Sequence, residues 1–182
     1  FQPDYVWSKS RSNSAVYHLR QDAVRGANYA LDQTTGAQAY RPATGYMVSF
    51  DSDGFTFNAG ATNNINFNEN GGTYVGWCWK GNGAGSSNTS GSVTSTVSAN
   101  TTSGFSIVNY TVPASGSYTV GHGLGATPGL IISKRYNTTG AWPVWDTVFT
   151  NAQYVFLNAN SAVASQANYW GTSTPTSTVF GG

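Results

Sequence analysis

The chain has a single cysteine, Cys78, and a single glutamate, Glu69, and only 8% of its 182 residues carry charge, against ~25% in ordinary soluble domains. One cysteine excludes an intrachain disulfide and leaves the redox compartment open. No run of about 18 apolar residues occurs, so no helical membrane span is expected, and no membrane insertion. No signal-peptide pattern is present. The eight Lys and Arg are dispersed and the formal net charge is +1, which argues against a nucleic-acid partner, since that needs a clustered basic surface. Disorder fits badly, because aromatics make up 14% of the chain. Solubility must rest on hydroxyls and amides, the profile of an extracellular or virion β-protein.

Helix signals are nearly absent. The stretch 14–26 is the one candidate, and its apolar residues do not hold a 3.6-residue period. Strand signals recur instead at Tyr5–Lys9, Val16–Leu19, Tyr46–Phe50, Phe55–Phe57, Tyr74–Lys80, Phe105–Val112, Tyr118–Val120, Leu130–Arg135, Val144–Val148 and Tyr154–Leu157. Gly, Asn, Asp, Ser and Pro clusters separate them, as a sandwich or barrel requires. Both alternating faces of Tyr74–Trp79 are apolar or small, which predicts a central strand covered on both sides with Cys78 buried as a small hydrophobe. Residues 81–103 are rich in Gly, Ser, Thr and Asn and read as a linker with a short edge strand at Ser92–Ser98.

A weak internal repeat spans this tract. With Phe1 set against Ala126, an offset of 125, Pro3 matches Pro128, Ser8 matches Ser133 and Lys9 matches Lys134. Tyr29 meets Tyr154, and with one residue of slippage Asp22 meets Asp146. The expected organisation is a first β-sandwich repeat at 1–80 lacking lead-in strands, a linker at 81–103, and a second repeat at 104–182 lacking its last strand. A period this long reads as a tandem of domains. Two explanations of the missing strands are open: a neighbouring subunit supplies them, as in donor-strand addition, or the chain is part of a longer polypeptide.

The strings PDYVWSKSRS, RGANYALDQTT, FDSDGFTF, GGTYVGWCWK, STVSANTTSGFSIVNYT and TVGHGLGATPGLIISKR resemble a repeated domain of phage tail-fibre-like and other virion proteins, a largely uncharacterised family. The resemblance touches nearly the whole chain outside part of the linker. It implies an all-β fold, an antiparallel β-sandwich of concanavalin A-like (jelly-roll) type, and associates no catalytic set with these motifs. Family members continue past a PTSTVF-like segment into a further strand; this chain ends at Gly182.

Few constellations could carry chemistry. Glycoside hydrolysis needs two carboxyl groups flanking one bond, and Glu69 is the only glutamate. Asp51 and Asp53 are the closest acidic pair; they could share a strand face or begin a Ca²⁺ loop, but Asp51-Ser52-Asp53-Gly54 is also an ordinary turn. His122, between two glycines, is expected to complete a turn through its ring nitrogens. Sugar binding wants exposed aromatics bordered by amides or an acid. Trp142, Trp145 and Asp146 in an expected hairpin, then Tyr169 and Trp170 with Asn168, and Tyr40 with Arg41, are the candidates; the competing reading places these rings in the core or at a subunit interface. No cofactor and no enzyme activity are expected. The leading expectation is a structural virion fibre or appendage subunit, partnered by copies of itself or neighbouring subunits and contacting a host-surface glycan. A carbohydrate-binding module is the alternative, and a polysaccharide-degrading enzyme is disfavoured.

Overall fold

The computed structural model describes residues 1–63, 65–166, 169–171 and 174–182. Among these, every regular element is a strand and none is a helix. In chain order they are β1 (Tyr5–Ser10), β2 (Leu19–Asp22), β3 (Tyr29–Asp32), β4 (Ala39–Tyr40), β5 (Tyr46–Asp51), β6 (Gly54–Asn58), β7 (Tyr74–Trp79) and β8 (Ser86–Asn88). They continue as β9 (Ser95–Asn100), β10 (Phe105–Tyr110), β11 (Thr119–Gly121), β12 (Leu130–Ile132), β13 (Pro143–Asp146), β14 (Gln153–Phe156), β15 (Ala164–Ser165) and β16 (Val179–Gly181). The fold is all-β. Its sheets run β4-β3-β2-β1-β7, β12-β13-β14-β15, β10-β9-β8, β5-β6 and β11-β16, and every ladder within them is antiparallel.

Two four-strand meanders share one register. Tyr5, Val6 and Trp7 face Asp22, Gln21 and Arg20; Leu130, Ile131 and Ile132 face Asp146, Trp145 and Val144. Leu19 and Arg20 face Asp32 and Leu31; Pro143 and Val144 face Phe156 and Val155. Tyr29 and Ala30 face Tyr40 and Ala39; Gln153 and Tyr154 face Ser165 and Ala164. The bonds around the ladders also recur: Ala23 N donates to Asp4 O and Thr147 N to Gly129 O, while Tyr29 N donates to Gly26 O and Gln153 N to Thr150 O. Lys9 Nζ reaches Val16 O at 2.7 Å, and Lys134 Nζ reaches Gly140 O at 2.9 Å.

Local sequence explains the first meander. In β1 the alternation buries Val6, Ser8 and Ser10 on one face and leaves Tyr5, Trp7 and Lys9 on the other. Strand β2 is buried along its whole length despite reading Leu-Arg-Gln-Asp. Leu19 and Ala30 pack with Phe67, whose ring stacks on Phe57 at 4.1 Å between centroids.

Three expectations need correction. The strand expected at Val16–Leu19 lies at Leu19–Asp22, because Val16 belongs to the loop whose carbonyl Lys9 binds. Strand β7 is not central. It ends its sheet, with Trp77 43% exposed and Cys78 exposed; on its aromatic face Trp77 meets Trp7 and Trp79 meets Tyr5 and Phe105, while its outer edge has no ladder partner among the described residues. The tract at 81–103 carries β8 and β9, and β9 is the middle strand of its sheet, not an edge. Its hydroxyls and small residues satisfy backbone groups where apolar bulk is missing: Ser98 Oγ accepts from Asn82 N at 2.7 Å, and Asp4 Oδ2 accepts from Gly81 N at 2.8 Å. The expected hairpin at Trp142–Asp146 is present: β13 pairs antiparallel with β12 before it and β14 after it.

Candidate functional site

A cavity of about 460 Å³ lies over the face of the five-stranded sheet that carries Tyr5, Trp7 and Arg20. Its sides are the full run of β10 and residues 128–134, which include β12. No residue of β9 or β13 lines it. Each of β10 and β12 is the last strand of its sheet, so the cavity lies on their open sides. Among the described residues, neither open edge carries a ladder partner.

Arg20 dominates the electrostatics. It is 1% exposed, and its Nε, Nη1 and Nη2 find no acceptor among the described residues. Its guanidinium carbon lies 4.1 Å from the centre of the Trp7 ring and 4.4 Å from that of Trp142, so indoles from the two meanders hold it between them. Burial lowers its proton affinity, yet a guanidinium stays protonated in proteins. Asp32, the acid whose charge favours the cation, makes no bond to it and is held by Arg41 Nη2 at 2.7 Å, while Asp22 Oδ2 is bonded to Arg25 Nε at 2.6 Å. A buried cation with unfilled donors costs several kcal/mol relative to water unless an oxygen ligand meets it. Burial also pushes the neighbouring Tyr5 hydroxyl up to about 12.

The meanders are tied together beside this cavity. Trp142 Nε1 donates to Thr34 O at 3.0 Å, Gln38 N to Tyr136 O at 2.8 Å, and Gly140 N to Thr35 O at 2.8 Å. Both histidines are held as neutral acceptors. His18 Nδ1 accepts from Trp7 Nε1 at 2.8 Å, and His122 Nδ1 accepts from Leu124 N at 3.2 Å while its Nε2 bonds Thr176 O. Desolvation lowers both ring pKa values, with Arg20 and then Lys9 adding to the effect at His18.

The aromatic residues singled out for sugar stacking divide among different environments. Trp142, Trp145 and Trp170 are 4%, 3% and 4% exposed, so none presents an open ring face. Odd spacing sends Trp142 and Trp145 to opposite sides of the chain, and only Trp142 reaches the cavity. Asp146 closes the turn after β13 by accepting from Val148 N at 3.0 Å. Tyr169 stacks on Tyr154 at 4.1 Å and meets Trp170 edge-on. Asn168 lies outside the described residues. Tyr40 is 46% exposed and sits edge-on to Tyr46, while Arg41 is bonded to Asp32 at 2.7 Å. Asp51 and Asp53 lie at the two-residue turn between β5 and β6. The Asp51 carboxylate accepts from Ser49 Oγ and Thr56 Oγ1, both at 2.7 Å, and these bonds lower its pKa. No cluster of three or more His, Cys, Asp and Glu side chains suited to a metal ion occurs among the described residues.

Sequence reasoning missed Arg20. Its one signal is a cation inside a strand whose neighbours Leu19 and Leu31 are apolar, and that pattern is common on solvated faces.

A family described as a domain of unknown function, DUF7483, matches residues 1–182. No curated protein and no solved structure matches the chain. With its whole length covered, the chain belongs to the DUF7483 family.

Proposed function

We propose that the chain is a structural subunit of an extracellular or virion assembly, a fibre or appendage, whose work is association with copies of itself or neighbouring subunits and contact with a host surface. One observation carries this reading. Three strands, β7, β10 and β12, end their sheets with no further ladder partner among the described residues, and none of the three contains a charged residue or proline. Isolated soluble proteins blunt such edges with Lys, Pro or bulges, because an open edge recruits another strand. The low charge, the resemblance to tail-fibre-like domains, and the shared register of the meanders support the same reading. We read the meanders as products of a duplication within a concanavalin A-like sandwich. The role is non-catalytic. Sedimentation velocity over a hundredfold range of concentration tests it: association is expected to grow with concentration, and a monomer throughout would overturn it.

A second reading, an acidic-glycan binder, is favoured by the cavity itself. Its volume suits one or two sugar units, the rings of Tyr5, Trp7, Tyr136 and Trp142 are among its lining, and the Arg20 cation held between Trp7 and Trp142 gives the site positive charge. Saturable binding of uronic-acid oligosaccharides, lost in Arg20→Met, supports this reading; equal binding by both chains counts against it.

A further inference from the structure

We infer that the cavity between β10 and β12 is a seat for one added β-strand, antiparallel to β12. The occupant is an extended segment with the chemistry of β7, alternate aromatic side chains separated by small ones, from outside residues 1–182. The inference rests on the assembly reading and names its interface.

The molecule contains a filled version of this seat. On one side β1 pairs with β2; on the other it takes β7 through six residue pairs, from Tyr5 opposite Trp79 to Ser10 opposite Tyr74. Backbone bonds from Asp4 N to Trp79 O at 2.8 Å and from Arg11 N to Thr73 O at 2.7 Å extend that ladder at both ends. Strand β12 occupies the position of β1 in the second meander, with the same register to its inner neighbour and the same flanking lysine clamp. Among the described residues its outer side has no ladder partner.

The consequences of that vacancy are visible in the strand itself. Lys9 and Ser10 are held in β1 by β7 alone, and their counterparts Lys134 and Arg135 are not in a strand. Leu130 and Ile132, at the positions of Tyr5 and Trp7, are 55% and 42% exposed. Across the cavity, β10 offers a second unpaired edge six residues long. A space bounded by two open edges has the polarity of a missing strand: rows of N–H and C=O on both sides, side-chain contacts above and below. Hydrocarbon could not satisfy those rows, whereas a peptide backbone can. The seat's own β7 is unavailable to it, because β1 holds that strand.

The test uses a fluorescent peptide with the sequence of residues 73–80, Cys78→Ser, flanked by lysines for solubility and titrated into the 182-residue chain. Saturable binding is expected, with slowed amide exchange in both β10 and β12. A peptide carrying Gly76→Pro, which cannot complete a ladder, is expected to bind at least tenfold more weakly. In the chain, Leu130→Lys with Ile132→Lys changes exposed side chains only; near-UV circular dichroism should stay native while binding falls at least tenfold. Absence of saturable binding, or binding that leaves either edge unprotected, would overturn the inference. If the chain self-associates but the peptide does not bind, the seat is wrong and the assembly reading stands. If the peptide binds and the chain stays monomeric at all concentrations, the seat stands and self-assembly falls.

Discussion

Arg20 shows how a single side chain can bind two halves of a fold while leaving its own chemistry unfinished. The cation–π contacts with Trp7 and Trp142 offset part of its desolvation, roughly 0.5–2 kcal/mol each, but supply no oxygen to its N–H groups. Replacing a buried unpaired charge by an apolar residue of similar length is then neutral or stabilising, on the order of 1–4 kcal/mol. Arg20→Met in the isolated chain should therefore unfold at the same or higher urea concentration; a clear loss of stability would show that the guanidinium is already satisfied. The histidines set the pH response. Both rings have lowered pKa values in the fold, so the unfolded chain takes up protons first as pH falls below the ordinary histidine value of ~6.5. Their contribution is present above that value and is lost on acidification. The thermal midpoint should drop between pH 7.5 and 5, and His122→Gln should flatten the drop; a midpoint that rises on acidification would contradict this account. The turn role of His122 was legible beforehand, and Leu124 N does bond its ring; the burial of Arg20 and the desolvation of both histidines were not, because an arginine and two histidines in a polar sequence look like ordinary surface groups.

Strands were easiest to read where side chains alternate by size and polarity, as in β1, β5, β6 and β10. They were hardest where burial is total or where hydroxyls do the work. Strand β2 hides Arg20, Gln21 and Asp22, so its apolar signal pointed to the preceding loop. Strand β9 buries Ser95, Val97 and Ser98 in a tract whose composition resembles a linker. Strand β7 misled in the other direction: its aromatics signal burial on both faces, while its outer edge is open. Two substitutions probe these elements. Leu19→Ala removes a side chain 2% exposed in the cluster with Ala30 and Phe67 and should cost about 2–5 kcal/mol in chemical denaturation. Gly123 has φ +71°, and a Cβ there would lie 3.0 Å from Val97 Cγ1. Gly123→Ala combines strain with a clash against β9 and should cost more than ~1 kcal/mol. A value near zero for either would mean that the element is less tightly packed than described.

The molecule as a whole is two meanders of one register joined by Trp142, Arg20 and a few backbone bonds, with open strands gathered around one cavity. Sparse identities at an offset of 125 are the basis of the expected repeat; the ladders of the two meanders keep that offset at the first strand and an offset of 124 at the second and third, so Tyr29 takes the place of Gln153 and not of Tyr154. The cavity was not visible, because it depends on which strands end their sheets, and strand order is not encoded in local periodicity. Amide hydrogen exchange on the chain when dilute and when self-associated tests the central claim most directly. The account predicts fast exchange in residues 105–110 and 130–132 in the dilute chain, with strong slowing of both segments on association while β9 and β13 change little. Slow exchange of both edges in the dilute monomer, or association that leaves them unprotected, would contradict it.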